Sequence, residues 1–554
     1  MKRRTFLKSF GAAGAAAFMP SAFNLSSMYK QASAAVNYAG ASVTAPAVMP
    51  QVINVFLYGG PSELSGNLTN IQDIENNSQN SYANAFGDRI LTFDTDGTAA
   101  NGFITPHGFW RGNPDNNNLA FDGSGAGGRY MQSMLERGQM SVYRTLMKRL
   151  DGTRSHRESL LMSQKGSLDI EVGPGVGTRL AATLFQHRAQ FEAASLLADG
   201  TAIGGLTSGT SNGVEALFLP FVSFEGDTRY FQQDPDFMLP LLLRGMTLDQ
   251  NLESPYSRNS DDDPVIRTAL NSLVGKVMSP AMMSRYSGVA DAFALREFFE
   301  DKMAGLDPGV ADVNANTDSS GDPLPNVADA ADAASIGIAP GAQLFYPNNR
   351  YTNRIRAAVT LALKNPSSLY ITVGGGLGGW DDHNNGIDNY PDRMNDLFAV
   401  LQAAMLHIKY YNGPTLPSTP GGAPGTRTTN SNIAINMFGD FGRLVNLNNS
   451  EGWDHGNNQN FYTFGIAGTG SPRPAGALGK VVGTTQRVGA SGTNNQVTEP
   501  VPGSYEAEPM SVAATVYSYF GVQNPEVLTA DDERNPAGVP AIDETVAGEP
   551  PLFP

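Results

Sequence analysis

The chain has 554 residues, no cysteine and a formal net charge of −16. Without cysteine there are no disulfides and no thiolate ligands, so any metal must be held by carboxylate, imidazole, amide or backbone oxygen. The acidic field disfavours nucleic acid and anionic membranes, and the length allows two or three ordinary domains or one elaborated α/β domain.

The first element is a targeting segment. "KRRTFLKSF" (2–10) carries paired arginines followed by Phe6, Leu7 and Lys8, the pattern of a twin-arginine export signal. The Ala/Gly-rich stretch behind it is too short to span a bilayer, and Ala32-Ser33-Ala34 offers the small-x-small pattern cut by signal peptidase. Residues 1–34 therefore read as a signal peptide handed to the twin-arginine translocase, which places the product in the periplasm or outside the cell. That segment contains five basic residues and no acid, so cleavage leaves a net charge of −21. Folded export suits an enzyme that acquires a metal before leaving the cytoplasm.

Downstream, short apolar runs closed by glycine or polar turns predict buried strands at 51–60, 139–146, 368–376, 432–442 and 461–468. Helices are predicted over 354–365 and 390–411, the latter with Met394, Leu397, Phe398, Leu401, Met405 and Ile408 on one stripe. Alternation of strand and helix predicts a mostly parallel sheet flanked by helices. Residues 264–304 read as two or three helices, 306–340 as a loop or mobile cover, and 503–522 as a C-terminal helix stopped at Gly521. No later apolar run is long enough for a stable transmembrane anchor.

In a parallel sheet the residues just beyond the carboxyl ends of the strands share one crevice. Here those positions carry chemistry: Ser62 and Glu63 after the first run, then Asp151, Arg154, Ser155, His156 and Glu158 after the second. After the later runs come Asp381, Asp382 and His383, then Asp440, Arg443 and the pair Asp454-His455. Three of the six histidines sit in these loops. Carboxylates and imidazoles together suit a divalent cation, and two such ions can clamp an anionic ester. Taken singly, each Asp–His pair is equally readable as a capped turn with a solvated neighbour.

"RSHRES", "GGWDDHNN", "FGDFGR" and "WDHG" resemble, in order and spacing, the motifs of the exported bacterial family called domain of unknown function 1501, similar to the alkaline phosphatase and sulfatase superfamily. The resemblance spans the chain beyond the signal, with 190–345 least familiar. It implies an alkaline phosphatase-like α/β domain over 35–554 carrying a helical, loop-rich insertion at about 190–345. It further implies one metal position served by Asp381 and His383 and a second served by Asp454 and His455. Ser155 falls where the superfamily keeps its nucleophile or anion-binding hydroxyl, His156 is a ligand or base, and Arg154 or Arg443 binds the ester oxygens. The cations expected are Zn, Ca, Mg or Mn.

Two departures qualify this. The superfamily places an aspartate after the first strand, where this chain offers only Ser62 and Glu63, so either Glu63 substitutes or one metal is lost. Asp440 stands where the family more often has Glu. Trp380 and Trp453 each precede a proposed ligand aspartate and read as packing under the loops, with stacking on a substrate as the alternative. His187 and His407 read as structural, His107 as a further candidate for the site, and the Asn-rich pieces as polar turns. The expected activity is metal-dependent hydrolysis of a small or polymeric phosphate or sulfate ester. The alternative is a non-catalytic binding or surface-assembly protein with a degenerate metal site.

Overall fold

β1 (Gln51–Leu57) is buried along its whole length, and its side chains divide between two cores. Ile53, Val55 and Leu57 enter one apolar cluster, while Val52 and Phe56 enter the other. The period of two thus persists inside a run that looks uniformly apolar, because both faces of the strand are covered.

The computed structural model describes residues 36–61, 127–203, 217–252, 302–374, 379–417, 422–489 and 497–550, apart from 226–227, 241–242, 309–312, 451 and 532–533. Val36–Pro554 forms one compact unit. The expected signal peptide, Ser62, Glu63, His107 and most of the helices expected at 264–304 lie outside the described residues.

An eight-stranded sheet has the order β12-β2-β11-β8-β1-β5-β3-β4. Besides β1 these strands are β2 (Met140–Met147), β3 (Phe221–Ser223), β4 (Met246–Thr247), β5 (Tyr370–Val373), β8 (Ile433–Gly439), β11 (Asn458–Gly465) and β12 (Val481–Val482). Two-stranded pairs β6 (Pro414–Thr415) with β7 (Gly425–Thr426), β9 (Gly442–Leu447) with β10 (Trp453–Gly456), and β13 (Thr485–Val488) with β14 (Val497–Pro500) lie outside it. β1 pairs in parallel with β5 and β8, as β3 does with β5 and β4. β11 alone runs against its neighbours β2 and β8. After β8 the chain makes the β9–β10 hairpin beyond the carboxyl edge and re-enters the sheet from that side, which forces the reversal.

On one face pack α1 (Gly128–Glu136), α6 (Thr352–Lys364) and α7 (Gly386–Tyr410), and on the other α3 (Val176–Gln186) and α8 (Ser511–Tyr519). The predicted stripe of α7 from Met394 to Ile408 is fully buried. The helix begins at Gly386, ahead of the expected Tyr390, and runs through Pro391, its sixth residue. The other helices are α2 (His156–Lys165), α4 (Arg188–Ala194), α5 (Ala330–Ser335) and α9 (Glu526–Thr529).

The segment expected as a loop or mobile cover packs on the core where it is described. Leu324, Val327, Ala333 and Ile336 enter the core, and Asp329 caps α5 through the Ala331 and Asp332 amides. Its Asp- and Pro-rich composition hid four well-spaced apolar anchors. Among the described residues, no helix is long and apolar enough to cross a membrane.

Candidate metal centre

All the converging side chains stand at the carboxyl edge of the sheet. β1 ends in Tyr58-Gly59-Gly60, β5 leads to Asp381 and His383, and β8 to Asp440. The β9–β10 hairpin supplies Arg443 and His455, paired across it, while His156 opens α2 after β2. Gly59 and Gly60 have φ of +108° and +71°, and a Cβ on Gly59 would lie 2.4 Å from the Asp381 amide nitrogen. Only glycine permits this conformation and closeness together, so the β1 turn presses against both ligand loops.

His156, His383, His455 and Asp381 each offer one donor atom, and these four atoms lie within 4.8 Å of one another, close enough to hold a metal ion. From Asp381 Oδ1 the Nε2 atoms of His383, His156 and His455 are 3.2, 3.3 and 3.7 Å away. Every Nδ1 has an acceptor behind it: Asp440 Oδ2 at 2.6 Å for His156, Asp454 Oδ1 at 3.0 Å for His383, and the Arg154 carbonyl at 2.7 Å for His455. Acceptors at Nδ1 hold the proton there and turn each Nε2 lone pair inward.

Two further observations fit a cation. The Nε2 of His156 is buried and makes no hydrogen bond. The Nε2 atoms of His383 and His455 face each other at 2.8 Å, a hydrogen-bond distance that needs one shared proton or, in its place, a shared cation, because both Nδ1 atoms already have acceptors. The ring of Phe441 packs on His156 and His455 at centroid distances of 4.6 and 4.4 Å and fixes their planes.

The electrostatics are those of a paired, half-buried cluster. The hydrogen bond from His156 to Asp440 raises the His156 imidazole above its ordinary range, against burial. Burial lowers His455, aided by the Arg443 charge and opposed by the Arg154 carbonyl. Burial alone would raise Asp381, but the Arg443 hydrogen bond and charge, with the nearby imidazoles, hold its carboxyl below the usual value.

Several candidate residues stand elsewhere than the resemblance implies. Asp454 and Asp440 sit behind imidazoles rather than among the inward-facing donors, because their carboxylates hold the Nδ1 atoms. His455 joins Asp381 and His383 in a single group instead of forming a second position with Asp454, and among the described residues no second group of this kind occurs. Arg443 is wholly buried. Its Nε donates to the Gly60 carbonyl at 2.9 Å, Nη1 to Trp453 at 2.9 Å, and Nη2 to Gly59, to Trp380 and to Asp381 Oδ1 at 2.6 Å. Nη1 also lies 3.5 Å from His383 Nε2, and from its wholly buried position the guanidinium ties the loops together.

Asp382, adjacent to the candidate ligand Asp381, points inward to Arg393 at 2.5 Å. Ser155 is exposed at the N-cap of α2 and makes no capping hydrogen bond with its side chain. Arg154 is also exposed, its Nε 3.3 Å from Asn457 Oδ1. His187 bonds the Tyr38 carbonyl at 3.0 Å. His407 is buried against Tyr346, and burial pushes its imidazole down to about 3. Trp380 and Trp453 lie fully in the core, Trp380 stacked on Tyr351.

Sequence reasoning passed over Phe441 and Asn448. Asn448 looked like one of several polar-turn asparagines; its amide donates to the His383 carbonyl at 2.9 Å and to Asp454 at 3.3 Å. The available signal was its place in the hairpin that ends in Asp454-His455.

Fold and site together define an α/β protein with a three-histidine, one-carboxylate candidate metal centre at the carboxyl edge of a mostly parallel sheet. Comparison of the chain with family models, with curated proteins and with solved structures finds no match.

Proposed function

We propose that this chain is an exported, metal-dependent hydrolase of phosphate or sulfate esters on an alkaline phosphatase-like variant of the α/β fold. The observation that carries the reading is the convergence of three imidazole Nε2 atoms and Asp381 Oδ1, each ring held from behind by its own acceptor. Three nitrogens and one carboxylate suit Zn²⁺ better than Ca²⁺ or Mg²⁺, which prefer all-oxygen shells. When bound, the cation supplies Lewis-acid stabilisation of the charge that develops on the ester oxygens.

The chain's own groups supply the rest. The Ser155 hydroxyl stands one residue before His156, at a helix N-terminus whose free amides favour an anion. In the proposed reaction Ser155 Oγ bonds to phosphorus or sulfur as the ester's alcohol leaves with the serine proton, and water then cleaves the seryl ester. In this reading the exposed Arg154 guanidinium, which among the described residues makes a long contact to Asn457, binds the non-bridging oxygens. Arg443 instead positions Asp381.

The test is metal analysis of protein purified from the periplasm, with turnover of p-nitrophenyl phosphate and p-nitrophenyl sulfate. Expected are a bound divalent cation and hydrolysis of one ester that is abolished by chelation and by Ser155→Ala. Undiminished turnover by the Ser155→Ala variant overturns the nucleophile. The second reading, a non-catalytic binding protein, is favoured by the single ligand group among the described residues where the resemblance implies two positions. Metal-loaded protein that hydrolyses neither ester decides for it.

A further inference from the structure

Next to the candidate centre lies a cavity of about 480 Å³, within the range of small-molecule sites. One wall is α2, whose Arg157, Leu160, Leu161 and Gln164 line it. Their i, i+3, i+4, i+7 spacing is a single helical stripe, and it starts one residue beyond His156. Tyr58 also lines the cavity, and its neighbour Gly59 donates to Asp440 at 3.1 Å while pressing on Asp381. One helix and one turn therefore build both the centre and the cavity beside it.

The inner polar atoms are already committed. Gln164 donates to the Tyr58 hydroxyl at 2.8 Å and accepts from the Arg229 amide at 3.0 Å, and the Tyr58 hydroxyl donates to Glu225. What remains for a ligand is apolar surface from Leu160, Leu161 and Ile170 and two guanidinium groups, with Glu171, Thr228 and Gln232 completing the lining. Arg157 pairs with Glu171 at 3.0 Å, both about two-thirds exposed at 65% and 64%, an ion pair weak enough to rearrange. The Arg229 guanidinium is exposed and, among the described residues, has no hydrogen bond or ion pair. In a chain of net charge −16, two arginines against the one carboxylate of Glu171 leave the lining of this cavity with a positive balance.

We infer that this cavity binds the organic part of the ester, an amphipathic anion whose apolar body lies on Leu160, Leu161 and Ile170 and whose second negative group is held by Arg229. The inference rests on the hydrolase reading for the fate of the ester, but recognition of the second charge is measured by itself. A carboxylate and a further phosphate or sulfate share the required chemistry, a planar or tetrahedral oxyanion that accepts from a guanidinium fork.

The test is calorimetric binding of phenylphosphonate and of 4-carboxyphenylphosphonate to the metal-loaded chain. The carboxylated compound should bind roughly tenfold more tightly, and Arg229→Gln should bring the two affinities together. Leu161→Trp, which fills the apolar wall, should weaken the carboxylated compound. Equal affinities in the unmodified protein, or a preference that survives Arg229→Gln, overturn the inference even where esters are hydrolysed. A preference that depends on Arg229 without any hydrolysis leaves the cavity assignment standing and removes the hydrolase reading.

Discussion

The Nε2 atoms of His383 and His455 stand 2.8 Å apart while the opposite nitrogens of both rings are held by Asp454 and by the Arg154 carbonyl. Two neutral rings so fixed aim lone pairs at one another. Either one ring carries a second proton and donates it to the other, or a cation takes that proton's place, for which Asp381 and His156 complete a shell.

Zn²⁺ added to chelator-treated protein is expected to raise Tm. At a free concentration about 100 times Kd the stabilisation amounts to about 2.7 kcal/mol. His383→Ala should abolish the response in a thermal scan. An unmodified protein whose Tm ignores both chelator and zinc would remove the metal centre.

Asp440→Asn is expected to weaken metal binding about 10- to 100-fold. The carboxylate accepts from His156 Nδ1 and from the Gly59 amide at 3.1 Å. An amide nitrogen facing Nδ1 favours the other tautomer, which puts a proton on the ligating Nε2. Competition titration against a zinc indicator measures the loss, and unchanged affinity would show that Asp440 does not orient the ring.

Arg443→Met leaves buried carbonyls and the Asp381 carboxylate without their donor, and should cost about 3 to 5 kcal/mol in urea unfolding. Arg443→Lys should rescue little, since one ammonium cannot span acceptors that the planar fork meets from Nε, Nη1 and Nη2. A lysine variant of full stability contradicts the bracing role.

Burial pushes Glu225 up to about 7, against the hydrogen bond from Tyr58 and the Arg354 charge. The folded chain therefore holds a proton that the unfolded chain releases near its ordinary value of 4.5. The resulting stability is present below that value and is lost as pH rises toward 7, by roughly 2 to 3 kcal/mol. Glu225→Gln should remove that slope, so that the variant gains on the parent between pH 5 and pH 8 in urea titrations. Parallel pH profiles for the two proteins would count against a protonated Glu225.

Much of the architecture was readable in the sequence because burial leaves a local trace. β1, β2, β5, β8 and β11 are short apolar runs, and α6 and α7 follow helical spacing, so element type and order follow from side-chain hydrophobicity alone. The same logic located Asp381, His383 and His455 at strand ends. Residue types did not say that β11 runs backwards, that Leu324 and Val327 anchor an acidic loop, or that Arg443 is a brace rather than an ester ligand. Nor did they separate Asp381, which faces the histidines, from Asp382, which faces Arg393. Those outcomes depend on which side-chain atoms meet across loops far apart in the chain. The directions of hydrogen bonds at Nδ1 and Nε2 are properties of the assembled edge of the sheet, and only the tertiary structure decides them.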